Sequence, residues 1–244
     1  MKQRLLLIIC AFILSVNLSY SQIIDRYGIN IGTSYSTQIW KPKWHNNDIK
    51  YKYGLQAFLQ AEKDFTKVLA LRLEFGYLQK GFIDNSPPVI ILNNGYGPRI
   101  EPINNKVILH DLALNIGLKI KPFKTICAPY LFIGLRSDYM IAYKDLEYAP
   151  PYSTIMTPYE YTLKTFNKFN CGGLISLGID IDNLFYFEIE FNPNFTKNLN
   201  DTYLSVRDNC WGLKIGLNMN KLFETKHKRT ILDILNETLP QKKL

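Results

Sequence analysis

Eight stretches of this chain alternate apolar and polar residues with a period of two, and no other feature limits its folding so strongly. In LRLEFGYLQKG, Leu71 to Gly81, one parity holds Leu71, Leu73, Phe75 and Tyr77, while the other holds Arg72, Glu74, Gly76 and Lys80. Successive side chains of a strand point to opposite faces, so such a segment is a strand with one oily and one charged face. The alternation predicts strands over about 26–40, 53–63, 67–81, 107–121, 127–143, 169–182, 184–195 and 208–220. Each is long enough to supply the ~9–11 residues that a tilted strand needs to cross the hydrocarbon of a bilayer.

Short and long connections alternate. Tight links fall near Asp64–Thr66, Pro122–Ile126 and Asp182–Asn183, and long ones near 41–52, 82–106, 144–168 and 196–207. A membrane barrel has this asymmetry, with an even strand number and both ends on one side. The expected fold is therefore all-β: a closed, antiparallel, eight-stranded transmembrane barrel in an up-and-down meander. Its periplasmic turns are short and its extracellular loops long.

The polar face carries Glu62, Arg72, Glu74, Lys80, Asp111, Lys119, Arg136, Asp138, Asp180, Glu188, Glu190 and Lys214, with repeated glycines. Opposed charges beside small residues fit an eight-stranded lumen, which is only wide enough for side chains to fill. They form a structural charge network, and Glu188 with Glu190 is read as part of it rather than as an acid–base pair. Water outside a soluble, lipocalin-like barrel would also tolerate them, which leaves open a periplasmic binder of an apolar ligand. Tyr27, Trp40, Tyr77, Phe82, Tyr139, Phe195 and Trp211 fall near strand ends, where aromatic rings favour a membrane interface.

Residues 1–21 read as a secretory signal peptide, with Lys2 and Arg4 ahead of an apolar run and small residues at the end. The barrel domain spans 22–220, and 221–244 forms a basic periplasmic tail whose Ile231, Leu232, Ile234 and Leu235 have helical spacing. Without the leader the formal charge falls from +8 to +6, about half of it in the tail, and no basic stripe with interleaved aromatics suggests nucleic acid. Cys127, Cys171 and Cys210 match neither a metal motif nor a disulfide framework, and His45 and His227 lack companion ligands. No cofactor or metal is expected.

The runs LRLEFGYLQKG, APYLFIGLRSDY and WGLKIGLNMN resemble the PorT-like outer-membrane β-barrel family, within the wider porin family of Gram-negative envelopes. The resemblance implies a location in the outer membrane, contact with its lipid and lipopolysaccharide, and, in some relatives, a role in protein secretion or surface attachment. A chain that continues past the last strand departs from that pattern.

Two candidate sites remain. If residues around Phe123 pair with numbers summing to about 247, His110 faces Ser137 on the lipid side of the outer rim, the minimum for acyl transfer in a lipid A hydrolase. The third long loop offers Tyr148, Tyr152, Tyr159 and Tyr161 among prolines, a stiff, tyrosine-rich surface for recognition of a protein or other partner.

Overall fold

The computed structural model describes residues 24–41, 49–85, 89–92, 95–99, 102–123, 125–148, 163–200 and 204–221. The leader, His45, Tyr152, Tyr159, Tyr161 and the tail beyond Lys221, with His227, lie outside these residues.

Among the described residues, eight long strands close on themselves. They are β1 (Arg26–Lys41), β2 (Ile49–Asp64), β3 (Leu69–Asp84), β6 (Lys106–Ile120), β7 (Cys127–Lys144), β8 (Phe169–Ile181), β9 (Phe185–Pro193) and β11 (Ser205–Asn218). Each pairs antiparallel with the next, and β1 pairs with β11 from Gly28↔Asn218 to Lys41↔Ser205, so no edge is left. Closure matters because an open sheet edge in lipid would leave its N–H and C=O groups unsatisfied. Paired residues can be followed around the wall from Ile179 through Phe187, Ile215, Ile31, Ala57, Tyr77, Leu112 and Tyr139. The path returns to β8 at Phe169 instead of Ile179, so the strands are staggered and tilt against the barrel axis.

Every residue on that path lies on the outward face, where Ile31, Leu55, Phe75, Leu114, Ile133, Leu177, Phe187 and Leu213 are exposed. The opposite parity is buried and polar. This distribution overturns the soluble alternative, since a lipocalin-like barrel would turn these residues inward. No helix among the described residues is long and apolar enough to cross a membrane; the strands have that length.

The tight turns follow local chemistry. Asp182 and Asn183 both adopt positive φ, 53° and 52°, and Leu184 N–H donates to Ile181 C=O at 3.0 Å. That is the two-residue hairpin turn with both central residues left-handed, which Asp and Asn tolerate better than bulkier side chains.

The outer end differs from expectation. Strands β2 and β3 reach Ile49 and Asp84, beyond the predicted 53 and 81, and the second long connection contains a hairpin of β4 (Val89–Leu92) and β5 (Gly95–Arg99). In the last connection β10 (Leu199–Asn200) pairs with the start of β11. Sixteen-residue strands such as β3 are longer than the ~9–11 residues needed to cross, so the wall exceeds the height that a bilayer crossing requires.

A sealed lumen and its outer cork

All twelve charged residues of the polar face lie inside the barrel and are at most 2 % exposed. They form three tiers. Nearest the short turns, Lys119 bridges Glu62 at 3.1 Å and Asp180 at 3.3 Å, and Arg26 reaches Glu62 at 3.1 Å. In the middle, Arg72 meets Glu62 at 2.7 Å and Glu188 at 2.6 Å, while Lys214 meets Glu74 at 3.0 Å, Glu188 at 3.2 Å and Glu190 at 2.7 Å. Further out, Lys80 is held by Asp111 at 2.8 Å, Asp138 at 3.0 Å and Asp208 at 2.8 Å, and Arg136 lies 3.1 Å from Asp138.

Burying a lone charge costs several kcal/mol, so these ions are tolerable only because each finds opposite partners at hydrogen-bond distance. Aromatic rings fill the rest. The Arg72 guanidinium lies 5.1, 5.0 and 5.2 Å from the ring centres of Tyr130, Phe132 and Tyr186, and Tyr130 donates to Glu188 at 2.7 Å. Gly178 and Gly216 make the room: a Cβ at either would collide with the ring of Tyr130 or Tyr186. Charge pairs, rings and glycines thus leave the lumen filled rather than open. At the end with the short turns the lumen widens into a cavity of about 960 Å³ lined by Arg26, Lys67, Lys121, Asp182 and Lys221.

At the opposite mouth the lumen turns apolar. Phe82, Val107, Leu109, Met140 and Val206 point inward from the wall and pack with Leu146, Tyr148, Leu163 and Phe166 of the third long connection. Trp40 adds an edge-on contact with Phe82 at 6.1 Å between ring centres. These residues form an oily cork above the charges, with loop segments folded into the barrel's own mouth. Phe82 is therefore part of the cork and not of an interfacial girdle.

Two site expectations are corrected here. Tyr148 is 6 % exposed and belongs to the cork, so it is no recognition residue; burial pushes its hydroxyl up to about 12, and it stays neutral. The loop's tyrosine and proline content gave no sign of this, because packing on one's own barrel uses the same residues as packing on a partner.

His110 and Ser137 do not meet either. His110 faces Gln79 on one side and Ala142 on the other, whereas Ser137 faces Leu114 and Cys171. The β6–β7 hairpin pairs Ile120 with Leu131, because Cys127–Tyr130 pair with β8 alone, and a bulge separates His110 from Asp111. Both effects carry the register away from the expected sum. His110 Nδ1 instead lies 2.5 Å from the Tyr77 hydroxyl. Among the described residues, no group of three His, Cys, Asp or Glu side chains is placed to hold a metal, and Cys127, Cys171 and Cys210 are free thiols.

Comparison with known proteins agrees with this architecture. The family model for the outer membrane protein beta-barrel domain matches residues 20–200. Solved structures similar to the chain include OprG from Pseudomonas aeruginosa, at 11 % identity and a TM-score of 0.45, covering 80 % of this chain and 96 % of that one. Another is Ail, the attachment invasion locus protein of Yersinia pestis, in complex with the heparin analogue sucrose octasulfate, at 11 % identity, a TM-score of 0.40 and coverage of 79 % and 97 %. The N-terminal barrel of Pseudomonas aeruginosa OprF gives 11 %, 0.33, 78 % and 96 %. No curated protein matches the chain.

Proposed function

The chain belongs to the outer membrane protein beta-barrel domain family, whose setting is the Gram-negative outer membrane, and from that premise we propose that it is a sealed, non-enzymatic pedestal for its outer loops. One observation carries this reading: a segment of the third long connection is built into the mouth of a lumen already filled with paired charge. A scaffold stiffened in this way holds loops still, and fixed loops bind with less loss of conformational freedom. The loops would bind a partner or organise surface or secretion machinery, a PorT-like role among them. Export on the leader of residues 1–21, with a cleaved signal, belongs to the same reading, as does a periplasmic place for the tail.

The test has two arms. An epitope inserted between Pro151 and Tyr152 should bind antibody on intact cells. Replacing residues 150–160 with a short Gly/Ser linker should then abolish retention of a surface protein while the barrel still folds. An unchanged set of surface proteins in that strain would defeat the loop-directed reading.

A further inference from the structure

Phe191, Trp211, Tyr35 and Tyr53 occupy one inter-strand row on the outward face of β9, β11, β1 and β2. Trp211 stands opposite both Phe191 and Tyr35, and Tyr35 opposite Tyr53. The rings touch in two groups on either side of the β1–β11 seam: Phe191 and Trp211 have centres 4.5 Å apart, while Tyr35 lies 4.8 Å from Tyr53 and stacks on Tyr51 at 4.5 Å with 14° between planes. Together the two groups make an aromatic ledge, with Trp211 44 % and Tyr53 74 % exposed.

Moving outward from the ledge along β1 and β11, the next facing pair is Asn209 and Thr37, then Arg207 opposite Ile39, then Lys41 opposite Ser205. Arg207 and Lys41 are exposed, and no acidic side chain shares the outward face of this sector among the described residues. The inner rim is built differently, since Lys63 is paired with Asp25 at 3.1 Å and Arg26 and Lys221 are paired with Asp64 and Asp182.

We infer that this sector binds one phosphorylated glycolipid of the outer leaflet. The order of chemistry along the strands matches the order along such a molecule. Acyl chains lie against Ile31, Leu55, Leu213 and Ile215; the sugar rests on the aromatic ledge; and Arg207 and Lys41 take the phosphate. A guanidinium suits phosphate because it donates two parallel hydrogen bonds, and aromatic residues are at home where apolar tails meet a polar head. The site is on the barrel wall and does not depend on what the loops bind.

Native mass spectrometry of the detergent-solubilised full chain tests it, with lipid A carrying its phosphates and the same lipid after phosphatase treatment as probes. The wild-type protein should retain one phosphorylated lipid A and retain the dephosphorylated form at least tenfold less. Arg207→Ala with Lys41→Ala should lose the phosphorylated lipid at least tenfold. Arg207→Lys with Lys41→Arg should keep it, and Lys106→Ala with Lys144→Ala, outer-rim cations on β6 and β7, should stay within twofold. Equal retention of both lipids by the wild type would overturn the proposal whatever the variants do. So would equal loss in the Lys106/Lys144 pair, or a dimer of the chain that excludes lipid from the ledge.

Discussion

Arg72 and Glu188 meet at 2.6 Å across the lumen, although β3 and β9 are not neighbours in the sheet and share no backbone hydrogen bond. A barrel is held around its circumference by ladders; this contact holds it across its diameter. Because Arg72 also takes Glu62 at 2.7 Å, one guanidinium joins three strands that would otherwise be linked only through the wall.

Arg72→Met therefore leaves Glu62 and Glu188 buried with fewer cations to answer them, and breaking a buried pair from one side costs about 3–5 kcal/mol. Urea unfolding in lipid vesicles should show a lower midpoint at unchanged slope. Adding Glu62→Gln and Glu188→Gln to the same variant should recover most of the loss, since no unanswered charge remains at those positions. A loss below about 1 kcal/mol in the single variant would mean that the strut contributes little.

The outward face makes a separate prediction. Ile215 is 48 % exposed and lies in the middle of the apolar band, so Ile215→Arg should cost about 2–4 kcal/mol in a bilayer. Ile126→Arg, at the exposed short turn before β7, should cost about 0–1 kcal/mol by the same depth dependence. Equal, small effects at both positions would be the behaviour of a protein whose outer face meets water.

How much of this was legible in the sequence depends on whether a property is local. Side-chain parity is local, so the alternation from Leu71 to Lys80 separates lipid face from lumen with no knowledge of the partner strand. Register is not: it depends on where each hairpin is centred and on bulges, and the His110–Ser137 pairing failed because Cys127–Tyr130 pair with β8 alone. The cork was illegible for a third reason. Phe82, Val107 and Leu109 continue the inward parity, but their apolarity has meaning only once Leu163 and Phe166 return from far along the chain to cover them.

Glycine placement in the lumen is the next testable point. A methyl group at Gly216 would run into the Tyr186 ring, which is wholly buried and has nowhere to move. Gly216→Ala should destabilise by about 1–3 kcal/mol through overpacking. Tyr186→Leu in the same chain should restore part of that, but not all, because Tyr186 also donates to Gln60 at 2.5 Å and its removal leaves that oxygen unanswered.

The cork can be opened from either side. Leu163 is wholly buried among Phe82, Val107, Leu109 and Met140, so Leu163→Ala should cost about 2–5 kcal/mol. That loss falls on the docking of the loop, since the ladders around the barrel are untouched. Cleavage of a docked loop tracks the population of its open form, and each ~1.4 kcal/mol multiplies that population tenfold. Externally added protease should therefore cut between residues 148 and 163 at least tenfold faster in Leu163→Ala than in the wild type. Val206→Ala, which removes a contact from the barrel wall, should act in the same direction, whereas Leu177→Ala on the lipid face should leave the rate unchanged. If neither cork variant quickens cleavage while the barrel stays folded, the loop is held by something other than its apolar seat.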